Sequence, residues 1–462
     1  MPDRAPLLRS LPAVGALLGH PLVKAEAART EPARLTQALR EEVAEERARR
    51  LAGEPPREPD ALAAGAVARL ERLFRPQLRR VVNATGVVLN TNLGRAPLAP
   101  GILDDLTAIA GGYSNLELDL ETGQRGSRYS HVEALLCRLT GAEAALVVNN
   151  CAAAVLLVVD AFARGREVVV SRGQLIEIGG SFRLPEVITG SGARLVEVGT
   201  TNKTYLSDYE RAVGPDTGML LLSHTSNYRI IGFTAEVERR ELATLGRERG
   251  VVTVEDLGSG LLVDLTRFGV PPEPTVQESV ASGIDLVTVS GDKLLGGPQC
   301  GLILGRKNLI AKLKRHPLLR ALRQDKLGLA ALEGTLRLYL QPDHVIAEVP
   351  IFKAMAKRPD TLKGEANRLA ERLAPLPGVA VRVVEGTSSV GGGTLPGVEL
   401  PTWLVAVRPH TLGVDELARR MRTGEPAVVG RIGEDQLLLD PRTLLEGDEA
   451  RVQAALKEAL SR

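Results

Sequence analysis

The spacing of apolar residues changes along the chain, and the first region has the spacing of helices. Between Leu35 and Leu51, apolar positions recur at helical intervals among charged residues, which predicts an amphipathic helix. Residues 53–59, GEPPREP, break that helix as a linker, and Asp60 is a candidate N-cap for a second helix. We therefore predict a small helical module with a connecting helix in residues 1–80.

Further along, short β-branched runs alternate with helical stretches, as in α/β proteins. The predicted strands are residues 145–148, 167–171, 194–198, 219–223, 251–255 and 285–290. This alternation predicts a doubly wound, largely parallel sheet with right-handed crossovers. The apolar run from Gly301 to Leu304 follows its predecessor after only a loop, which is too short for a crossover helix, so this strand is predicted to run antiparallel.

Two other regions complete the predicted architecture. The stretch SHVE from Ser130 matches a capping box and opens a helix that ends at Gly141. Near the C-terminal end the alternation loosens into a helix near residues 360–373, a strand around 379–384 and a GGG loop. Strands at residues 403–407, 427–432 and 437–439 and a closing helix from Asp448 follow. We therefore expect an α/β large domain in residues 81–340 and a small α+β domain in residues 341–462.

Composition places the chain among ordinary globular proteins. Its 462 residues are 44% hydrophobic, which is enough for conventional cores, and the net charge of +2 excludes a strongly basic nucleic-acid coat. Residues 1–80 are mildly basic, with 15 Lys and Arg against 11 Asp and Glu. The usual cause of such an interspersed pattern is a solvated helix face.

Cysteine usage and hydropathy indicate a reducing compartment. Cys137, Cys151 and Cys300 show no paired metal-ligand spacing and leave an odd count, so no disulfides are expected. The apolar run from Leu11 to Gly19 is interrupted by proline and glycine, and no run reaches the roughly 18 residues that a membrane helix needs. We expect a cytoplasmic protein with no membrane segment.

Lys293 lies in the stretch DLVTVSGDKLLGGPQCGLIL, where a predicted buried strand meets a glycine-rich turn. α/β enzymes place chemistry at the carboxyl ends of such strands. An apolar, glycine-lined pocket lowers the pKa of a lysine, and the neutral amine then forms a Schiff base with an aldehyde cofactor. The alternative is a surface lysine in a strand connection. Asp292, its neighbour, is a candidate electrostatic partner of unassigned role.

A turn of small residues follows the first predicted strand of the sheet. Asn150, Cys151 and Ala152 open a helix there, and free backbone N–H groups together with the positive end of the helix dipole favour an anion such as phosphate. The turn has neither a Walker nor a G-x-G-x-x-G pattern, so an ordinary strand-to-helix turn is the alternative.

Two polar residues follow later strands. Asp256 lies one helix-plus-strand unit before Lys293, where a carboxylate can pair with a protonated ring nitrogen and make a bound pyridine a better electron sink; a turn cap is the alternative. His224 ends the preceding strand and is placed to stack on such a ring or to hydrogen-bond a substrate, although a lone histidine is more often structural. The order of phosphate turn, acid and lysine resembles that of fold-type-I pyridoxal-phosphate enzymes.

Arginines form a second candidate set. Arg95, Arg125 and Arg128 lie in glycine-containing loops, while Arg320 and Arg323 are spaced i, i+3 and are predicted to share a helix face. Guanidinium groups bind phosphate bidentately. For each arginine a salt bridge or a solvated surface is the alternative, but the set as a whole suggests a second oxyanion ligand.

Motifs spread over essentially the whole chain form a specific combination. They are VVNATGVVLNTNLGRAPL, ETGQRGSRYSHVE, VVNNCAAAVLL, LIEIGGSFRLPEV, VGTTNKT, SHTSNYRIIGF, VEDLGSG, SGDKLLGGPQCG, ALRQDK, SSVGGGTLPGVELP and GRIGEDQLLLDPRTL. Together they resemble the bacterial L-seryl-tRNA(Sec) selenium transferase (selenocysteine synthase) family. One departure is Cys151, where a third asparagine is expected.

The resemblance implies roles for individual residues around pyridoxal 5'-phosphate. Lys293 would hold the cofactor, Asp256 would pair with its ring nitrogen, and the turn from Asn150 to Ala152 would hold its phosphate. The residues that would bind selenophosphate are Arg95, Arg320 and Arg323, with Arg128 nearby. With the residues singled out above, the candidate cofactor-binding set is Lys293, Asn150, Cys151, Ala152, Asp256 and His224. The candidate catalytic set is Lys293, Arg95, Arg320, Arg323, Arg128 and Asp292.

The resemblance also implies a reaction and its partners. Seryl-tRNA(Sec) would be converted to selenocysteinyl-tRNA(Sec) with selenophosphate, through an aldimine and an aminoacrylyl intermediate. Residues 1–80 would bind the tRNA, and the family assembles as a homodecamer, a pentamer of dimers. The alternatives are a pyridoxal-phosphate lyase acting on a small amino acid or amino sugar without tRNA, and a non-catalytic RNA-binding scaffold.

Overall fold

The computed structural model describes residues 8–179 and 182–461. The chain divides into two compact units, Met1–Arg80 and Val81–Arg462. Residues after 340 belong to the second unit, together with the large sheet. Within the described residues, no helix combines the length and the apolar character needed to cross a bilayer.

The first unit is helical. Its helices are Val14–Leu18, Pro21–Ala27, Pro32–Leu51 and Pro59–Phe74. The predicted long helix is confirmed, and its buried residues Leu35 and Leu39 pack with Leu62 and Leu70 of the following helix. The predicted N-cap is wrong: Glu58 occupies that position, while Asp60 lies in the first turn and its Oδ1 is 2.9 Å from His20 Nε2. Pro59 begins the helix because its missing N–H has no partner there in any case.

Ion pairs of buried glutamates connect the helix Pro32–Leu51 to the linker after it and to the helix Pro59–Phe74. Glu46 is fully buried and accepts hydrogen bonds from Arg50 Nε and Arg57 Nε, each at 2.7 Å. Burial by itself raises the pKa of Glu46, but these two guanidinium groups outweigh it and lower the pKa to about 2. Glu42 pairs with Arg57 and Arg69 beside it. Charge pairing therefore stabilises part of a helix interface that is otherwise apolar.

The second unit contains the strands of a large central sheet and of smaller sheets. The strands are β1 (Val81–Asn83), β2 (Ala144–Val148), β3 (Glu167–Ser171), β4 (Glu177–Ile178), β5 (Phe182–Arg183), β6 (Arg194–Val198), β7 (Thr217–Ser223), β8 (Val252–Gly258), β9 (Leu286–Ser290), β10 (Gly301–Gly305), β11 (Val379–Gly391), β12 (Thr394–Pro409), β13 (Ala427–Val429), β14 (Arg431–Gly433) and β15 (Gln436–Leu439). The predicted strands of the central sheet are all present, with boundaries shifted by up to three residues.

Helices separate most of these strands, as the alternating pattern predicts. They are Leu103–Gly111, Ser130–Thr140, Cys151–Ala163, Leu184–Gly190, Leu206–Ala212, Arg239–Arg249, Val276–Ala281, Lys307–Leu313, Leu319–Leu322, Lys326–Leu338, Pro342–Glu348, Pro350–Ala356, Pro359–Leu373, Val414–Thr423 and Asp448–Ser461. The predicted capping box is wrong, because Ser130 is the first helical residue and Glu133 binds Lys314 Nζ at 2.6 Å. The predicted end at Gly141 is confirmed, where φ is 78°.

The central sheet has seven strands in the order β2-β10-β9-β8-β7-β3-β6. The neighbouring pairs are parallel except those of β10, which runs antiparallel to both β2 and β9, as predicted from its short connection. Successive residues of a strand point to opposite faces, so Val287 and Leu286 enter two different apolar clusters. The sheet is thus covered on both faces, as in doubly wound folds.

The C-terminal part forms a four-stranded antiparallel sheet in the order β11-β12-β15-β14. The single strand predicted at residues 427–432 is instead two, because Gly430 separates β13, which pairs with β1, from β14, which pairs with β15. Val82 of β1 consequently lies in the same apolar cluster as Val405 and Leu456. The chain just after residue 80 is therefore built into the C-terminal layer.

Candidate active site

The predicted site residues gather at one edge of the central sheet. Strands β2, β7, β8 and β9 all end there, while the antiparallel β10 begins there with Gly301 paired to both Val148 and Ser290. Asn150, His224 and Lys293 follow β2, β7 and β9, and Asp256 lies within the last residues of β8. The topology brings together residues that are far apart in the sequence.

Lys293 is buried, with 5% of its surface exposed. The turn that carries it is fixed by backbone hydrogen bonds, from Leu294 N to Ser259 O and from Gly296 N to Lys293 O, each 2.9 Å. Desolvation lowers the pKa of Lys293, while Cys151 and Asp256 oppose the shift. A buried amine with a lowered pKa has the property that Schiff-base chemistry requires.

Glycines surround the lysine amine. A methyl group added at Gly258 would lie 3.8 Å from Lys293 Nζ, and one added at Gly393 would lie 4.0 Å from it. Gly393 belongs to the turn between β11 and β12, which was identified in the sequence only as a glycine loop. The tip of this long hairpin is therefore part of the site, and the only signal for it in the sequence is the GGG triplet.

One of the two carboxylate oxygens of Asp256 is in contact with neighbouring side chains. Thr288 Oγ1 donates to Asp256 Oδ1 at 2.9 Å, and Cys151 Sγ contacts the same oxygen at 3.5 Å. Oδ2 makes no hydrogen bond with the described residues, which leaves it available as an acceptor. Burial raises the pKa of Asp256, and the Thr288 hydroxyl opposes the shift because it stabilises the charged form.

Thr288 was missed by the sequence analysis. It lies in β9 directly opposite Asp256 of β8 and is fully buried. A polar residue in an otherwise apolar strand was the available signal, but its partner depends on the register between two strands. Cys151, the residue in place of the expected asparagine, contacts the carboxylate of Asp256 through its thiol.

The turn after β2 presents unused backbone donors. Asn150 caps the helix Cys151–Ala163 by accepting from Ala153 N at 2.8 Å, whereas the N–H groups of Cys151 and Ala152 have no acceptor among the described residues. A methyl group at Gly301 would lie 2.1 Å from Asn150 O, so glycine is needed for the close approach of β10 to this turn. The turn has the donors that an anion needs.

Two buried hydroxyl groups at the same edge lack partners. Ser223 Oγ, at the end of β7, and Ser259 Oγ, just after β8, have no hydrogen-bond partner among the described residues. Both residues are fully buried. Buried polar atoms are normally hydrogen-bonded, so these hydroxyls indicate a polar ligand at this edge.

Arg95 is tied to the lysine turn through Asp292. Arg95 Nη1 lies 2.8 Å from Asp292 Oδ2, and Ser290 Oγ donates to Asp292 Oδ1 at 2.7 Å. Arg95 itself has a left-handed backbone, with φ of 61°. A non-glycine residue in that conformation costs free energy that the surrounding contacts must offset. Asp292 therefore holds a strained arginine against the turn that carries Lys293.

The other arginines are distributed differently from the prediction. Helix Leu319–Leu322 ends before Arg323, which has an extended backbone, so Arg320 and Arg323 do not share a helix face. Arg320 is exposed and forms no ion pair with the described residues. The backbone of Arg323 bridges to Val148, which places it beside the turn after β2.

Arg128 is nearly buried and has its donors occupied. Its Nε lies 3.0 Å from Glu117 Oε1, its Nη2 also contacts that oxygen, and its Nη1 donates to Gln324 O at 2.8 Å. Glu117 also contacts Arg125 and Arg323. Glu117 is not among the residues predicted from the sequence.

His224 lies next to Asp256 in the structure. Its backbone N donates to Asp256 O at 2.9 Å. Its ring Nε2 is 2.9 Å from Oε1 of the nearly buried Glu273. The imidazole is therefore oriented by a carboxylate, as a positioned ring at a site requires.

Comparison with known proteins identifies the family. A family model described as L-seryl-tRNA selenium transferase matches residues 81–445. The chain belongs to the L-seryl-tRNA selenium transferase family. The L-seryl-tRNA(Sec) selenium transferase of Moorella thermoacetica is 52% identical over 458 residues, which cover 98% of this chain and 97% of the relative. That of Desulfomicrobium baculatum is 57% identical over 406 residues, which cover 87% of each chain.

Solved structures agree on the fold. D-glucosaminate-6-phosphate ammonia-lyase matches with a TM-score of 0.57 and 22% identity, covering 85% of this chain and 98% of that one. This selenium transferase chain thus has the predicted fold-type-I architecture of pyridoxal-phosphate enzymes, with a mostly parallel central sheet and a C-terminal antiparallel sheet. The predicted family is confirmed.

Proposed function

We propose that this chain converts L-seryl-tRNA(Sec) to L-selenocysteinyl-tRNA(Sec). The observation that carries the proposal is the buried Lys293 beside Asp256, in a chain that belongs to the selenium transferase family. The alternative of a lyase without tRNA has less support, since the relatives that match at 50% identity or more over most of the chain are named selenium transferases.

We propose pyridoxal 5'-phosphate as the cofactor, because the residues present fit it. Lys293 would hold its aldehyde carbon, Asp256 Oδ2 its ring nitrogen, and the N–H groups of Cys151 and Ala152 its phosphate. The unpartnered hydroxyl of Ser259 supplies a further polar contact. When bound, this cofactor supplies an electron sink that makes the α-proton of the seryl group removable.

The chain's own residues then provide acid–base chemistry. Because its pKa is lowered by burial, Lys293 is able to accept the α-proton at Nζ and to return it after the side chain has changed. The β-hydroxyl takes up a proton and leaves the seryl side chain as water. Selenium of selenophosphate then bonds to the same carbon, and hydrolysis of the P–Se bond releases phosphate. The Thr288 hydrogen bond favours the charged form of Asp256 against the effect of burial, and that form would stabilise a protonated ring nitrogen.

The proposed selenium donor is selenophosphate, bound by arginines. The α-carboxyl of the seryl group is esterified to tRNA, so no arginine is needed for a substrate carboxylate. Arg320 is exposed and without an ion pair in the described chain, and Arg95 and Arg323 lie beside the lysine turn and the turn after β2. Guanidinium groups suit a phosphate group, which accepts bidentate hydrogen bonds.

The remaining partners are proposed from the family. We propose that residues 1–80 bind the tRNA, that 81–340 form the catalytic domain and 341–462 a small domain, and that the chain works as a homodecamer of five dimers. We also propose a cytoplasmic location, because the proposed reaction acts on aminoacyl-tRNA. The basic excess of residues 1–80 supports contact with a phosphate backbone.

Selenium transfer measured in vitro tests the function. The purified protein with pyridoxal phosphate and selenophosphate is expected to label seryl-tRNA(Sec) with selenium and to leave free serine unlabelled. Lys293→Ala should lower the rate by about 10²–10⁴-fold, the usual contribution of a positioned acid–base group, and should abolish the Schiff-base absorbance. Equal labelling of free serine would support the lyase-like alternative, and an unchanged Lys293→Ala rate would refute the assigned role.

A further inference from the structure

Glu117 is placed among three arginines close to the proposed site. Its carboxylate pairs with Arg128, with Arg125 Nη2 at 3.0 Å, and lies 3.8 Å from Arg323 Nη1. We call these four residues the Glu117 cluster. The hydrogen bond from Arg128 is the main cause that lowers the pKa of Glu117, so the side chain is a carboxylate at neutral pH.

The Glu117 cluster adjoins both loops of the candidate active site. Arg128 donates to Gln324 O at 2.8 Å, and Gln324 Nε2 donates to Gln299 O at 3.2 Å, in the loop that follows Lys293. Asn149 N, in the turn after β2, donates to Leu322 O at 2.9 Å. Arg323 is thereby held between the phosphate turn and the lysine loop.

The charges of the cluster are unbalanced. Three guanidinium groups face a single carboxylate, so the cluster keeps an excess of positive charge while Glu117 is in place. A phosphate group carries about −1.5 to −2 charges and three acceptor oxygens, which satisfies such a cluster better than one carboxylate does. A monoanion would bring only a single negative charge, the same charge that the Glu117 carboxylate already supplies to the cluster.

Glu117 can leave the arginines by side-chain rotation alone. Its backbone is held in a hairpin, with Gly126 N donating to Glu117 O at 3.1 Å and Leu118 bridged to Arg125. The side chain is 28% exposed, so water adjoins the carboxylate. A tethered carboxylate has a high effective concentration, and a ligand must therefore outcompete it.

We propose that Glu117 is a specificity-determining residue that competes with the phosphate group of the donor for Arg125, Arg128 and Arg323. The inference rests on the proposed function, since that function gives Arg323 an anionic donor, and it adds Arg125 and Arg128 to the residues that bind the donor. Glu117 thus excludes monoanions, which cannot displace it, and admits a phosphate-bearing donor, which can. Displacement of Glu117 frees Nε and Nη2 of Arg128, which bind Glu117 in this structure, for the phosphate of the donor.

Calorimetric titration of the full-length holoenzyme with inorganic phosphate, and separately with acetate, tests the proposal. Glu117→Gln removes the competing charge at nearly constant size and is expected to bind phosphate up to about fivefold more tightly, the scale of one exposed ion pair of about 1 kcal/mol. Acetate binding should become measurable in this variant. Glu121→Gln is the matched control, because Glu121 lies on the same hairpin and forms no ion pair with the described residues; it should behave as wild type.

A second variant guards against loss of local structure. Glu117→Asp keeps the charge but shortens its reach to Arg128, so it too should bind phosphate more tightly. Unchanged or weaker phosphate binding in both variants, at unaltered thermal stability, would overturn the role of Glu117. Arg323→Ala separates this outcome from failure of the proposed donor site: if that substitution leaves phosphate affinity unchanged, the donor assignment itself is wrong and the inference with it.

Discussion

At the scale of residues, the site depends on how each polar group is held. Burial lowers the pKa of the Lys293 amine and raises the pKa of the Asp256 carboxyl, relative to the same groups exposed to water. The Thr288 hydroxyl and the Cys151 thiol both contact Asp256 Oδ1, which leaves Oδ2 as the acceptor. Thr288 is therefore a positioning residue for the proposed ring contact.

Thr288→Val should weaken cofactor binding. The substitution keeps the shape of the side chain but removes its hydrogen bond to Asp256, so the pKa of the buried carboxyl rises further and less of it is charged. A hydrogen bond to a charged group contributes about 1.5–3 kcal/mol, which predicts a loss of roughly tenfold or more in affinity. Spectrophotometric titration of the apoprotein with pyridoxal phosphate, at several pH values, measures it.

Thr288→Ser supplies the control for that experiment, since it restores the hydroxyl. The affinity of the serine variant for pyridoxal phosphate should approach that of the wild type. Only in the valine variant should the cofactor affinity begin to fall at a higher pH than in the wild type. Identical titrations for valine and serine variants would show that Thr288 has no part in positioning Asp256.

At the scale of elements, the antiparallel strand β10 brings the two halves of the site together. It lies between β2 and β9. The turn that contains Asn150 follows β2, and the turn that contains Lys293 follows β9. Its first residue, Gly301, is in contact with the backbone of Asn150. The long hairpin of β11 and β12 adds Gly393 near Lys293 from a different sheet.

Gly301→Ala and Gly305→Ala, at opposite ends of β10, should differ in their effect on the cofactor. In both cases the new methyl group would lie 2.1 Å from a carbonyl oxygen, of Asn150 or of Asp285, so each should lose about 1–3 kcal/mol of stability through overpacking. Gly305→Ala should lose more, because its φ of 148° strains a residue with a side chain. Only Gly301→Ala displaces the phosphate turn, and only it should lower pyridoxal-phosphate affinity several-fold. Chemical denaturation and cofactor titration measure the two effects; equal cofactor affinities would contradict the role of the turn.

At the scale of the whole molecule, the chain consists of two compact units with separate cores. The first has helices joined by apolar contacts and by buried ion pairs around Glu46. The second contains the central sheet, the C-terminal antiparallel sheet and two small two-stranded sheets. Strand β1 ties the segment after residue 80 into the C-terminal layer. The two units therefore have the internal contacts needed to be studied separately.

Removal of residues 1–80 should separate tRNA binding from cofactor binding. The remaining chain keeps the central sheet and the residues around Lys293, so its pyridoxal-phosphate affinity should match that of the full-length protein. Its affinity for seryl-tRNA(Sec) should fall about a hundredfold, as expected when several phosphate contacts are lost. Filter binding at fixed salt measures this, and an unchanged tRNA affinity would show that the first unit does not bind the tRNA.

Much of this organisation was predictable from local pattern. Alternating β-branched and helical stretches predicted the strands of the central sheet, and the short connection before Gly301 predicted the antiparallel direction of β10. Helix boundaries were less predictable. Asp60 and Ser130 both have side chains typical of N-caps, yet each lies inside its helix because a neighbouring residue begins the turn.

By itself, the sequence determined the fold class, the family and the positions of Lys293, Asp256 and the Asn150 turn, because strand periodicity and motif order are local properties of the chain. Tertiary structure alone decided which side chains touch them. Thr288 meets Asp256 through strand register, Gly393 reaches Lys293 through a hairpin from another sheet, and Glu117 meets Arg323 across more than two hundred residues. Contacts of that kind depend on how elements pack, and no spacing along the chain records them.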